Sequence, residues 1–175
     1  NDFLVSINSL VLSQFNEEIK SLDMPKFLNW ESRKFFLEKD DNIHFIYKKF
    51  FGKKFGKDIF NSLNPSATVT YATLQIIYYM GFKEVIIIGM DHNFSTKNSN
   101  TPNKLEIRDE EIDVNHFHPN YFPKGSKWET PDLISSEYFY RIAKRVFEED
   151  GRKIYDCTID GKCQIFDKAD INFFI

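Results

Sequence analysis

The run Glu84-Val85-Ile86-Ile87-Ile88, closed by Gly89, constrains the fold of this chain more than any other stretch. From Val85 to Ile88 it is apolar, β-branched and too short for a buried helix, the pattern of a strand covered on both faces of a parallel sheet. Ahead of it Val69, Ala72, Ile76, Ile77 and Met80 recur at helical spacing, and Tyr71, Leu74 and Tyr78 make the opposite side apolar too. A helix over 68–80 buried nearly all round is therefore expected, with Gly81 at its C′ position. The helix is entered through Asn64-Pro65-Ser66-Ala67-Thr68-Val69-Thr70. Free backbone N–H groups and the positive dipole end make such a hydroxyl-rich helix start an anion site, with Ser66, Thr68 and Thr70 as candidate phosphate contacts. Directly after the strand come Gly89-Met90-Asp91-His92-Asn93-Phe94. They fall at the C-terminal edge, where open α/β sheets bind ligands. The active site is expected here.

The flanking segments fit the same class. Residues 3–7 read as a strand, Asn8-Ser9 as an N-cap pair, and Val11, Phe15, Ile19 and Leu22 as one helical face. Short strands follow over 26–28 and 43–47, separated by a brief helix or aromatic-rich loop over 30–37, and 48–63 reads as loop. No periodicity organises 89–127, which is expected to form an exposed, mobile arm of the functional kind. Thr130-Pro131 has the chemistry of a helix start, and Tyr138, Ile142 and Val146 beside Phe139, Ala143 and Phe147 mark that helix's buried face. A last parallel strand is expected over 153–156, then a tail closing over a sheet edge. Strands alternating with helices predict an α/β, Rossmann-like domain with a mainly parallel sheet flanked by helices and a long loop after the central strand.

Composition excludes several functions. A chain of 175 residues is one domain by length. Its net charge of −3 argues against nonspecific nucleic-acid binding. No segment approaches the roughly 20 apolar residues of a transmembrane helix. Cys157 and Cys163 form neither a disulfide framework nor a zinc cluster, and a reducing, cytoplasmic setting is the default expectation.

Three of the four histidines, His92, His116 and His118, follow the core strand. Histidine suits proton transfer near neutral pH, so they are the candidate acid–base groups. Asp91, at a strand end, is placed either to hold Mg²⁺ on a nucleotide's phosphates or to cap its own loop. Walker and nucleophile-elbow motifs are absent from the sequence.

The string Ala67-Thr68-Val69-Thr70-Tyr71-Ala72-Thr73-Leu74-Gln75-Ile76-Ile77-Tyr78-Tyr79-Met80-Gly81-Phe82-Lys83-Glu84-Val85, with Ile88-Gly89-Met90-Asp91-His92-Asn93-Phe94, resembles the domain family named after archaeal 6-hydroxymethylpterin diphosphokinase. Asn115-His116-Phe117-His118-Pro119-Asn120-Tyr121-Phe122, Pro131-Asp132, and Gly151-Arg152-Lys153-Ile154 with Gly161-Lys162 resemble its bacterial branch. Members are similar in fold to the family 42 sialyltransferases. The resemblance implies a Rossmann-like domain that handles a nucleotide or nucleotide sugar. It implies a histidine base at His116 or His118, donor contacts near Thr68 and Thr70, and a nucleotide contact at Asn8. The sialyltransferases carry tyrosines where this chain has His92-Asn93. The family's glycine-rich first strand-to-helix turn would lie upstream of Asn1, so the N-terminal strand and that turn are expected to be missing from these residues.

These readings converge on a nucleotide-dependent transferase. The leading expectation is a glycosyltransferase of surface-glycan assembly, with a nucleotide-sugar donor and a small-molecule or glycan acceptor. His116 or His118 would deprotonate the acceptor, closing as a lid over residues 64–94, while His92, Asn93, Thr68 and Thr70 steady the leaving phosphate. The alternatives are a Mg²⁺-dependent diphosphokinase using ATP, with Asp91 near the metal, and a non-catalytic nucleotide-binding module.

Overall fold

A computed structural model of the chain describes residues 2–50, 52–61, 63–66, 68–93, 105–107, 125 and 127–175. Strand β1 (Leu4–Ser6) runs into Asn8, whose Oδ1 accepts the Leu10 amide at 2.8 Å and caps helix α1 (Ser9–Gln14). The single helical face expected over 11–22 is divided: Phe15 leaves helical geometry and α2 (Asn16–Lys20) starts afresh. The cause is local. Ser13 Oγ donates to the Leu10 carbonyl and Asn16 Nδ2 to the Ser13 carbonyl, side-chain bonds that compete with the helix ladder. Strand β2 (Lys26–Asn29) follows, then a 3₁₀ turn over Trp30–Phe35 capped by Asn29, then β3 (Ile43–Ile46). The three strands are parallel, in the order β1-β2-β3.

The second half begins with helix α3 (Val69–Tyr79), capped by Thr68 and ended by Gly81 at φ +88. Strand β4 (Glu84–Ile87) comes next, then a ribbon of β5 (Leu105–Ile107) antiparallel to β6 (Lys127–Glu129). Helix α4 (Leu133–Glu149), strand β7 (Lys153–Asp156) and the two-residue β8 (Asp167–Lys168) complete the chain with a 3₁₀ turn over Ile171–Phe173. Strands β4-β7-β8 form a second parallel set.

Alternation along β1 places the helices. Leu4 joins Leu12, Ile19 and Leu28 in a core under α1 and α2, whereas Val5 and Ile7 join Ala72 and Ile76 of α3. The two groups of helices therefore cover opposite faces. On the second strand set α3 and α4 share one face through Tyr71, Leu74, Tyr78, Val85, Phe147 and Ile154. The result is the Rossmann-like α/β architecture expected from the sequence, wound outward in two directions from β1 and β4.

Several expectations need correction. The segment after β4 was expected to lack regular structure, yet 105–107 and 127–129 pair as a ribbon. Helix α4 starts after Asp132 instead of at Thr130-Pro131, because the Asp132 carboxylate accepts the Ser135 amide at 2.9 Å. The tail is more than a cover, since β8 adds a strand beside β7. Strand β4 is not covered on both faces either: Val85 is buried, but Ile86 is 37% and Ile88 70% exposed.

Candidate functional site

The C-terminal ends of β1 and β4 and the starts of α3 and α4 converge on a cavity of about 460 Å³. Asn8, Thr68, Thr70, Asp91, His92 and Asn93 line it, joined by Thr130, Asp132, Ser136 and Tyr140. A larger cavity of about 860 Å³ follows β1 beside α1 and α2, but its walls are mainly aliphatic. The smaller one holds the convergent polar groups, which is what a binding site needs.

Thr68 shows how the helix start is built. Its Oγ1 accepts the Thr70 amide at 2.9 Å and lies 3.2 Å from the Tyr140 hydroxyl, either oxygen able to donate. Burial raises the pKa of the Tyr140 phenol above its ordinary value of 10.0, partly offset by hydrogen bonds from Thr68 and Thr70. Tyr140 therefore presents a protonated hydroxyl to the cavity at neutral pH. Ser66 stands apart. Its side chain is buried, donates to Asn64 Oδ1 and lies outside the cavity lining.

His92 sits where Gly89, at φ +74, turns the chain away from the β4 end. Its own φ is +52, a left-handed conformation uncommon outside glycine and worth about 1–3 kcal/mol of local strain. The side chain is only 7% exposed. Its ring packs beside Tyr140, centroids 6.2 Å apart, and among the described residues Nε2 has no hydrogen-bond partner. Glu137 Oε1 lies 3.3 Å from Nε2, within ion-pair reach but without hydrogen-bond geometry. Glu137 is held in turn by Arg141 at 3.0 Å. A strained, buried imidazole beside a carboxylate at a strand end is an arrangement found at functional sites.

The floor is clamped from far along the chain. Thr158 Oγ1 accepts the Met90 amide at 3.0 Å, and the Lys162 amide donates to the Asp91 carbonyl at 2.8 Å. Gly161 makes that approach possible: a Cβ there would lie 3.0 Å from the Thr158 side chain and 3.1 Å from the Met90 carbonyl. Asp91 is thereby fixed through its backbone while its side chain stays exposed beside the cavity.

Of the residues singled out from the sequence, the cavity brings together Asn8, Thr68, Thr70, Asp91, His92 and Asn93. His116 and His118 lie outside the described residues, and the lid expected from them does too. Sequence reasoning missed Tyr140, Glu137 and Ser136. A signal existed: Ser136, Tyr140, Ala143 and Phe147 form one buried α4 stripe that is polar at its start and apolar at its end. Such a change along a stripe marks where a helix passes from core to cavity. Among the described residues no group of three or more His, Cys, Asp or Glu side chains gathers as a metal site. Both thiols are pushed up, by burial first and by Asp156 among neighbouring charges, which suits neither to nucleophilic work at neutral pH. Comparison with models of known protein families, with curated proteins and with solved structures returns no match.

Proposed function

We propose that this chain is a nucleotide-dependent transferase, and that its specific activity is transfer of a sugar from a nucleotide donor in surface-glycan assembly. One observation carries the reading: a helix start, two threonine hydroxyls, a protonated tyrosine and a buried histidine face one cavity at the C-terminal ends of the two parallel strand sets of an α/β fold. The donor's diphosphate lies against the first turn of α3, where backbone N–H groups and Thr68 and Thr70 receive it. Tyr140 and His92 donate hydrogen bonds to the leaving phosphate as negative charge develops. His116 or His118 takes the proton of the acceptor hydroxyl, the role the family resemblance implies. The donor class rests on that resemblance.

The test is calorimetric titration with UDP, GDP, CMP and ADP. One nucleotide is expected to bind, and Thr68→Val combined with Tyr140→Phe to weaken it at least tenfold, about 1.4 kcal/mol. Absence of binding by all four at about 1 mM, a level of roughly 4 kcal/mol, would end the proposal.

The cavity's charges favour a second reading. Asp91, Glu129 and Asp132 line it, and the described lining includes no lysine or arginine. Phosphates approaching carboxylates need a cation between them, and Mg²⁺ on a nucleotide takes only one or two protein carboxylates. Asp91, exposed and backbone-anchored, fits that part in a diphosphokinase. Turnover of ATP with a hydroxymethylpterin acceptor that EDTA abolishes would select this reading over the first.

A further inference from the structure

The polar cavity and the aliphatic cavity beside it share Asn8, Thr68 and Glu129 as a common wall, so they adjoin at the first turn of α3. Among the described residues lining either one, Lys48 is the sole lysine or arginine, and it lines the aliphatic cavity. Lys48 lies two residues beyond β3, and its side chain is only 19% exposed. Its backbone is tied to the entrance of α3. Lys48 forms a parallel bridge with Leu63, reinforced by the Lys49 amide on the Leu63 carbonyl at 3.0 Å and the Leu63 amide on the Tyr47 carbonyl at 3.2 Å. Leu63 directly precedes the segment Asn64-Pro65-Ser66 that leads into the helix. The side chain turns back to the end of β1, where Nζ donates to the Ile7 carbonyl at 3.3 Å and pairs with Glu31 Oε2 at 2.8 Å. Ile7 in turn shares a core with Ala72, whose amide donates to the Thr68 carbonyl. The ammonium is therefore held beside Asn8, where β1 meets the helix start.

The plain role for such a lysine is to neutralise Glu31 and brace the end of β1. Two features go beyond it. Glu31 is 59% exposed, so water already solvates its carboxylate and a surface pair of this kind adds little. An ammonium also carries three donors, of which the described contacts use two.

We propose that Lys48 is a phosphate-binding residue of the candidate site, lending the positive charge that the polar cavity lacks among its described residues. The proposal rests on the nucleotide reading above for the ligand's identity, and it names the part that Lys48 reads. That part is the diphosphate, lying across the boundary between the two cavities. One phosphate sits on the amides and hydroxyls of the first turn of α3, and the other turns toward Asn8 and Lys48 Nζ. Lysine suits this place as a compact charge on a flexible stem. It draws the diphosphate away from Asp91 and Asp132, which line only the smaller cavity. Glu31 then acts as a competitor that gives up the ammonium when phosphate arrives.

The test is calorimetric titration, in EDTA, with inorganic pyrophosphate and with UDP, GDP, CMP and ADP. Lys48→Met is expected to weaken whichever of them bind by about tenfold or more, the worth of one charge-assisted hydrogen bond. Lys48→Arg should restore most of that loss. Glu31→Gln removes the competing carboxylate and should leave binding equal or tighter. A lysine that only braces β1 predicts looser binding in Glu31→Gln, and that result overturns the proposal. So does an unchanged affinity in Lys48→Met, or binding seen only when Mg²⁺ is added, since the metal then supplies the charge. Pyrophosphate binding that needs Lys48, with no nucleotide bound, upholds the phosphate subsite and ends the nucleotide reading instead. Failure of every one of these anions to bind ends both.

Discussion

The two strand sets are built from similar residues and finished differently. The β1-β2-β3 set is clad on both faces, by Leu12, Ile19 and Phe36 on one side and by Ala72 and Ile76 on the other. The β4-β7-β8 set has the larger core, but it lies on one face, where α3 and α4 pack through Tyr71, Leu74, Tyr140 and Phe147. On its other face Ile86 and Ile88 are exposed, and the half-buried Tyr155 packs its ring against Phe174, centroids 5.1 Å apart. An apolar strand thus reports what it is adapted to be covered by, and does not by itself say that the cover is present.

Substitutions can break that comparison. The largest effect is expected inside the covered faces: Phe147→Ala and Leu28→Ala should each lose about 3–5 kcal/mol in denaturant unfolding, since both side chains are fully buried. Gln75→Leu comes next. Gln75 Oε1 accepts the amides of Gly56 and Asn64, and its Nε2 donates to the Asn64 and Tyr71 carbonyls. Removing the amide orphans buried backbone groups at a cost of about 3 kcal/mol, and Gln75→Glu should lose at least as much, because it sets a buried carboxylate against the Asn64 and Tyr71 carbonyls.

Gly161→Ala is placed in the middle, at about 1 kcal/mol, because the new methyl must displace Thr158 or the Met90 carbonyl by a few tenths of an ångström. Nucleotide affinity should fall with it, read by the same titrations as Thr68→Val. Ile86→Ala should cost less than about 1 kcal/mol, because the side chain is 37% exposed. Equal losses from Ile86→Ala and Leu28→Ala in the 175-residue chain would erase the contrast between the two sets.

The smallest effect is one of pH. Tyr71 and Tyr140 have raised phenol pKa values, chiefly through burial, so the folded chain holds protons that the unfolded chain releases near pH 10. Their contribution is complete below that value and is lost as pH rises above it. Unfolding midpoints measured from pH 8 to pH 11 should fall at the alkaline end, and Tyr140→Phe should flatten the fall.

How much of this was legible beforehand follows from what determines each element. The α3–β4 unit was read almost to the residue, because capping by Thr68, the 3.6-residue spacing and Gly81 are all local chemistry. Asn8, Asp91 and His92 were placed correctly at strand ends for the same reason. The split at Phe15, the cap at Asp132 and the β5–β6 ribbon were not legible: each depends on which of several competing hydrogen bonds the folded chain adopts. Tyr140 escaped notice because its role comes from meeting Thr68, 72 positions away. The Ser66 hydroxyl is taken up by Asn64 Oδ1 and lies outside the cavity lining, a pairing that the string of hydroxyls in the sequence does not announce.

The clamp formed by Thr158, Gly161 and Lys162 bears on the order of events during synthesis. Met90 and Asp91 are made early, but the partners that fix them leave the ribosome some seventy residues later. Chains grow at about 5–20 residues per second, so the loop carrying His92 waits several seconds before its floor exists. A nascent chain stalled after α4 should have its first strand set and α3 in place and still bind no nucleotide. The floor beneath His92 is complete only once the turn over 158–162 has been made.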